Sequence, residues 1–147
     1  MSNLSDFLHP VIANEEKEVI VSTRFVQHGE NGKPLLDGSG NPIPAPFKIR
    51  ALTQEENDAL SKKAMRTVKD RNGTRRELDV QQYTRSLVVA ATVEPDFSDA
   101  KLCEAYGVLD PLLVPGKMLY AGEYQKLAEA ITELSRIGED IEEEAKN

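Results

Sequence analysis

The stretch FKIRALTQEENDALSKKAM, residues 47–65, predicts a β-strand that leads directly into an α-helix. Phe47 and Ile49 alternate with basic residues, which is the period of a strand with one buried face. Thr53 stands three residues before Glu56, the spacing of a capping box at a helix N-terminus. The chain is therefore expected to pass from strand to helix within a few residues.

The helix predicted from Gln54 to about Val68 has little apolar surface. Basic residues follow it, and DRNGTR, residues 70–75, predicts a turn centred on Asn72-Gly73. A helix with so small an apolar face buries little of itself in a core, so we interpret it as part of an interface. Its apolar positions are Leu60, Ala64 and Val68, with Met65 to one side.

The segment KEVIVSTRF, Lys17 to Phe25, predicts an earlier strand by the same alternation. Residues 27–46 contain four glycines and four prolines, which is typical of a loop. No internal repeat is recognised there or elsewhere. We therefore expect an antiparallel β-hairpin whose two strands are joined by a long connection.

Three further helices complete the predicted fold. One begins after Asp79, is apolar on nearly all sides and ends at Pro95, so it is expected to be the central core helix. A short helix is capped by Ser98 and closed by Gly107, and the last runs from about Glu123–Ile137. The predicted fold class is α+β, mainly α: an N-terminal β-hairpin with a long loop, packed on a small bundle of about four helices.

The two chain ends differ in composition from the body. Residues 1–16 are expected to form an apolar arm, residues 17–138 a single α+β domain, and residues 139–147 a flexible acidic tail. Pro10 limits any helix in the arm to its first turns. The arm's large apolar residues predict that it is held by the body of the domain or by a neighbouring subunit; they are Leu4, Phe7, Leu8, Val11 and Ile12.

Composition and charge narrow the class of protein. The 147 residues carry a formal net charge of −7, which argues against nonspecific nucleic-acid binding. A single cysteine, Cys103, fits a reducing cytoplasm. The N-terminus has neither a basic start nor a long apolar run, so a signal peptide is not expected. The longest apolar run, Leu87 to Val93, is too short to span a bilayer. A cytoplasmic protein is expected.

No motif points to catalysis, a metal or a cofactor. Neither His9 nor His28 has a Cys, Asp or Glu at metal-ligand spacing. Cys103 is interpreted as a small buried side chain on a short helix. The carboxylates of Glu55 and Glu56 fall in the first turn of a helix, where they favour the helix dipole. We therefore expect no enzymatic activity, no cofactor and no metal.

Two segments of opposite charge stand out. Residues 62–76 carry seven basic residues against Asp70, a net +6, and residues 129–147 carry seven acids against Arg136 and Lys146, a net −5. They are either two solvated surfaces or a charged interface, joining copies head to tail or docking a partner. The candidate interface residues are Lys62, Lys63, Arg66, Lys69, Arg71, Arg75 and Arg76 on one side and Glu142, Glu143 and Glu144 on the other.

An ordered set of segments resembles a known family. FLHPV, EVIVSTRF, PFKIRALTQEEN, VVAATVEPDFSDAKLCEAYGV and MLYAGEYQKLAEAITEL occur in this order and cover nearly the whole chain. The set is similar to the XkdN-like tail assembly chaperones of phages and defective prophages of Gram-positive bacteria. No single segment is a catalytic signature.

The resemblance implies a non-catalytic role in the bacterial host cytoplasm. Such chaperones bind the tape measure protein, keep it soluble and help to recruit tail tube protein around it. The candidate contacts are Phe7, Leu8, Val11, Tyr120 and Tyr124, which alternatively complete the domain core. Two other classes stay open: a structural tail or head-completion subunit, and a nucleic-acid-binding module using residues 62–76.

Overall fold

The computed structural model describes residues 3–12 and 14–138. Within them it contains six α-helices, a short 3-10 helix at Pro111–Leu113 and five strands. The helices are α1 Ser5–Leu8, α2 Gln54–Lys63, α3 Val80–Ala91, α4 Ala100–Ala105, α5 Val114–Met118 and α6 Ala121–Leu134. The strands are β1 Glu16–Val19, β2 Phe47–Arg50, β3 Met65–Asp70, β4 Gly73–Leu78 and β5 Thr92–Glu94.

The first sheet has the strand order β1-β2-β5, with both pairings antiparallel. β2 is central, and its Phe47 and Ile49 are buried as the alternation predicts. The predicted hairpin is confirmed, because β1 pairs with β2 across the long connection. The prediction that β1 extends to Phe25 is wrong. The strand ends at Val19, and the Arg24 N–H donates to Ser22 Oγ at 3.0 Å in a turn that redirects the chain.

The long connection is folded back on itself by three backbone hydrogen bonds that form a closed ring. Gln27 donates to the carbonyl of Ile43 (2.8 Å), Ile43 to that of Leu35 (3.0 Å), and Leu35 to that of Gln27 (2.8 Å). The three residues are evenly spaced along the chain. We name residues 25–45 the ring segment.

An eight-residue repeat underlies the ring segment, so the expectation of no internal repeat is wrong. QHGENGKP, residues 27–34, and LLDGSGNP, residues 35–42, each fold into a turn closed by an equivalent backbone bond. Gly32 and Gly40 hold equivalent positions with φ of 77° and 83°, a conformation that favours glycine. The repeat is short and of mixed composition, so only the repeated backbone geometry makes it evident.

The strand-to-helix passage forms as predicted. The Glu56 N–H donates to Thr53 Oγ1 (3.2 Å) while the Thr53 N–H donates to Glu56 Oε1 (3.0 Å), which completes the capping box. The Glu56 carboxylate also pairs with Arg50 of β2 at 2.7 Å. The Arg50 guanidinium, together with the Thr53 N–H, lowers the pKa of Glu56 to about 2. This carboxylate therefore ties the strand to the helix.

The predicted extension of α2 to Val68 is wrong. α2 ends at Lys63, and β3 and β4 form an antiparallel hairpin around the predicted turn. The carbonyl of Ala64 accepts from the Asp79 N–H at 2.8 Å, which closes the base of the hairpin. A two-residue turn between strands containing β-branched residues is a known hairpin signal, and this pairing outweighs the weak apolar periodicity of the helix.

α3 packs against α6 at the centre of the core. Leu87, Val88 and Ala91 of α3, and Leu127 and Ile131 of α6, are buried. The mixed α+β class and the central position of this helix match the prediction.

Two predicted details of the helices need correction. α3 ends at Ala91 instead of Pro95, because the next residues form β5 and pair with β2. α4 is capped by Asp99 and not by Ser98, since Asp99 Oδ1 accepts from the Lys101 N–H at 2.8 Å. Gly107 has φ of 68°, which confirms its predicted role after this helix.

Candidate partner-binding surfaces

A groove of about 700 Å³ opens between α3, the 3-10 helix, α5 and the start of α6. We name it the α3–α6 groove. Its walls are mainly apolar, with Leu113 41% exposed on one side. It is lined by Gln81, Thr84, Arg85, Leu112, Leu113, Gly116, Lys117, Leu119, Ala121 and Tyr124.

Local sequence explains why the groove stays open. Asp110 Oδ1 accepts from the Leu112 N–H at 3.0 Å and starts the 3-10 helix, in which Pro111 fixes the first turn. Gly116 on α5 has open space where a side chain would begin. Ala121, also small and exposed, begins α6. Small residues at these positions leave room for a second helix to approach closely.

Among the residues that the structure describes, the groove lining carries positive charge and no carboxylate. Arg85 and Lys117 are its two charged lining residues. Burial raises the pKa of the Tyr124 hydroxyl, an effect that the nearby Arg85 partly opposes. A partner for this surface should therefore combine apolar side chains with acidic ones.

Tyr120, next to the groove, is part of a polar cluster that sequence reasoning missed. Its ring lies 3.8 Å from the Arg24 guanidinium, and its side chain is 66% exposed. Arg24 also donates to the carbonyl of Met118 (2.9 Å) and to Glu123 Oε1 (2.5 Å). The hydrogen bond from Arg24 lowers the pKa of Glu123 to about 2. Tyr120 is thus held in place, whereas the sequence placed it only near a helix start.

The N-terminal arm lies in solvent. α1 has no buried residue, and Phe7, Leu8 and Val11 are 75%, 58% and 102% exposed. The expectation that the body of the domain holds the arm is therefore wrong for these residues, and so is the alternative that they complete the core. A neighbouring subunit, the other occupant expected, stays a prediction. Such a run of exposed apolar side chains is typical of an interaction surface.

The basic segment divides between two faces of the β3–β4 hairpin. On one face Arg66 pairs with Glu77 and Asp79, while Arg75 pairs with Asp70 and Glu77. These pairs neutralise that face.

The opposite face keeps its positive charge. Lys69 lies opposite Thr74, and Arg76 lies opposite Thr67, with no ion pair for either basic residue within residues 3–12 and 14–138. Lys62 and Lys63 end α2, and Arg71 lies in the exposed turn. The predicted acidic partners Glu142, Glu143 and Glu144 lie outside the described residues.

The hairpin lacks features that would favour nucleic acid. Its strands contain no aromatic side chain for base stacking. Tyr83, the nearest candidate in the sequence, lies on α3 and donates a hydrogen bond to Asn57 Oδ1.

The side chains that could take part in catalysis or metal binding lie apart from one another. His9 and His28 are exposed in different segments, and Cys103 is buried with its thiol 3.5 Å from the Phe97 carbonyl. Over the residues that the structure describes, no group of three or more His, Cys, Asp or Glu could hold a metal ion. In the same part of the chain no helix is long and apolar enough to cross a bilayer.

A family model described as "Phage XkdN-like tail assembly chaperone protein" matches residues 4–146. The chain belongs to this family, as its ordered segments indicated. Protein XkdN of the phage-like element PBSX of Bacillus subtilis (strain 168) is 35% identical over 142 residues, 92% of this chain and 87% of the relative. The uncharacterised protein YqbN of the same strain is 37% identical over the same shares.

A solved structure supports the fold. The crystal structure of the protein YqbN has a TM-score of 0.69 and 31% identity, and the match covers 93% of this chain and 98% of that one. The arrangement of helices and strands described above is therefore similar to that of an experimentally determined relative.

Proposed function

We propose that this phage tail assembly chaperone binds the tape measure protein in the bacterial cytoplasm and aids assembly of the tail tube without catalysing a reaction. The observation that carries the proposal is the α3–α6 groove, an open apolar surface whose lining, over the described residues, has two cations and no carboxylate. Membership of the family supports the role in tail assembly.

The groove fits a helical client. A long helical protein that has not yet assembled exposes an apolar stripe, and a chaperone can cover that stripe by helix-in-groove binding. Gly116 and Ala121 allow close approach, while Leu113 and Tyr124 supply apolar contact. Acidic residues beside the stripe would meet Arg85 and Lys117. Tyr120 extends the contact area next to the groove.

The test is co-expression of the full chain with the tape measure protein of the same phage or prophage. The variant Leu113→Glu places a charge in the groove and should weaken binding about tenfold, with loss of soluble client. Leu109→Glu is the matched control, because Leu109 is 101% exposed and lies outside the α3–α6 groove. Equal solubility of the client with both variants would refute the assignment of the groove.

Purified tail particles separate the proposal from a structural role. A chaperone should be absent from finished particles, whereas a tail or head-completion subunit should be present in fixed stoichiometry. Mass spectrometry of particles purified through a density gradient gives the answer. Stoichiometric recovery of the chain would replace the chaperone function with the structural one.

A further inference from the structure

Two apolar surfaces of the chain have no partner among its own described residues. One is the arm, in which Leu4, Phe7 and Leu8 follow the i, i+3, i+4 spacing of one helical face and are each more than half exposed. The other is the α3–α6 groove. The arm has apolar side chains that could enter a groove, and the groove has room for such a segment.

The arm joins the body near the end of α6 that lies opposite the groove. Ile12 lines a cavity with Leu52, and the Leu52 N–H donates to Ser135 Oγ at 2.9 Å, just beyond the C-terminal end of α6. The groove lies at the N-terminal end of that helix, at Ala121 and Tyr124.

The observed position of the arm favours the groove of another copy. The step from Ser135 to Tyr124 along α6 spans about 16–17 Å. The five-residue step from Ile12 back to Phe7 reaches about 18 Å only when fully extended, and less with the helical turn of α1. With α1 helical, no residue of the arm lines the groove of its own chain in the part of the chain that the structure describes.

Charge favours the same pairing between copies. Asp6 is the only charged carboxylate side chain in residues 3–12, and it lies in the first turn of α1 beside Phe7. In the part of the chain that the structure describes, the groove lining offers Arg85 and Lys117 and no acid. An arm entering the groove would bring one negative charge to two positive ones while covering its apolar face.

We propose that two copies of the chain exchange arms, with residues 3–12 of each copy seated in the α3–α6 groove of the other. The exchange is reciprocal, so it closes a two-fold symmetric dimer and leaves neither apolar surface exposed. The contact is small, so the dimer is expected to dissociate in the micromolar range. Entry of a client helix would displace the arm, and only this displacement rests on the proposed function.

Complementation between two full-length variants tests the exchange. Phe7→Ser/Leu8→Ser removes the arm contacts and keeps the groove, whereas Leu113→Glu blocks the groove and keeps the arm. Each variant alone should sediment as a monomer where the unaltered chain forms dimers. Their mixture should form a heterodimer, because one intact arm then meets one intact groove. All the substituted side chains are exposed, so folding is expected to persist and is checked by circular dichroism.

A labelled peptide with the sequence of residues 3–12 provides the second measurement. It should bind the Phe7→Ser/Leu8→Ser chain, though more weakly than two full chains bind each other because it supplies one contact instead of two, and should bind the Leu113→Glu chain at least about tenfold more weakly still. Binding should persist in high salt because most of the contact is apolar. A monomeric unaltered chain, failed complementation, or equal peptide binding to both variants would each overturn the proposal.

Discussion

Arg24 and Glu123 are 99 positions apart in the sequence and form a two-pronged ion pair, with Nη2–Oε1 at 2.5 Å and Nε–Oε2 at 3.2 Å. The pair joins the segment after β1 to the first turn of α6. It also positions Tyr120, whose ring stacks on the same guanidinium. One side of the groove region is therefore held by a contact between the two halves of the chain.

The Arg24–Glu123 pair predicts a specific dependence of stability on pH. The hydrogen bond from Arg24 lowers the pKa of Glu123 from the ordinary value of 4.5 to about 2 in the folded state. A carboxyl whose pKa is lowered by folding contributes stability above its unfolded value and loses it as pH falls through the folded value. Glu123→Gln should therefore be less stable than the unaltered chain at pH 7, and the difference in melting temperature should shrink between pH 4.5 and 2.

The control for this experiment is Glu133→Gln on the same helix. Glu133 forms no ion pair within the part of the chain that the structure describes. The Glu133→Gln substitution should therefore change the melting temperature little across the same pH range. A constant Glu123→Gln difference across the range would contradict the linkage.

The turn of the β3–β4 hairpin predicts a glycine requirement. Gly73 has φ of 115°, which side chains disfavour, so Gly73→Ala should lower the free energy of unfolding by about 1–2 kcal/mol. Gly38→Ala is the matched control, because Gly38 lacks a positive φ and has open space around it. Urea denaturation measures both, and equal effects would argue against this backbone conformation.

The central core predicts a large effect for α6. Ile131 is fully buried, and Ile131→Ala should reduce the free energy of unfolding by about 2–5 kcal/mol. Ile12→Ala makes the same chemical change in the arm, where the side chain is 65% exposed, and should stay within about 0.5 kcal/mol. Comparable losses for the two variants would show that the arm packs on the body.

The ring segment predicts unusual protection from hydrogen exchange. The N–H groups of Gln27, Leu35 and Ile43 donate to one another's carbonyls in a closed circle, so opening one bond loosens the other two. These three amides should exchange at similar, slow rates although most of the surrounding side chains are exposed. Amide exchange followed by NMR is the measurement, with Gly38 as the fast reference, because its N–H has no hydrogen-bond acceptor among the residues that the structure describes. Fast exchange at one of the three positions would contradict the ring.

The opposite charges of the two segments predict a salt-sensitive contribution to self-association. Lys69→Glu/Arg76→Glu reverses the unpaired face of the hairpin and should weaken association at low salt, with the difference lost at high salt. Removal of residues 139–147 should have the same effect. Sedimentation at two salt concentrations tests both, and no change at low salt would leave the two segments as separate solvated surfaces.

Local signals in the sequence predicted the parts of the fold that depend on neighbouring residues. The Thr53–Glu56 capping box, the alternation at Phe47 and Ile49, and Gly107 after α4 each depend on side chains a few positions apart. Such patterns are readable because backbone and side-chain preferences act locally.

Features set by distant partners were not predictable in the same way. The helical spacing of Ala64 and Val68 predicts a helix where β3 forms, and only the pairing with β4 reveals a strand. β5 is three residues long and owes its conformation to β2. The groove arises from four elements whose relative placement no short motif encodes. The apolar residues of the arm and the family were accessible from the sequence, whereas the exposure of the arm, the groove and the Arg24 cluster were not.

The ring segment offers a convenient site for attaching a probe. Its bonds hold the base of each turn, so a substitution at Ser39, at the exposed tip of the second turn, leaves them intact. The chain's one cysteine, Cys103, is buried, which makes Ser39→Cys the single accessible thiol. A fluorophore attached there would report distances between copies, or between chaperone and client, without altering the arm or the groove.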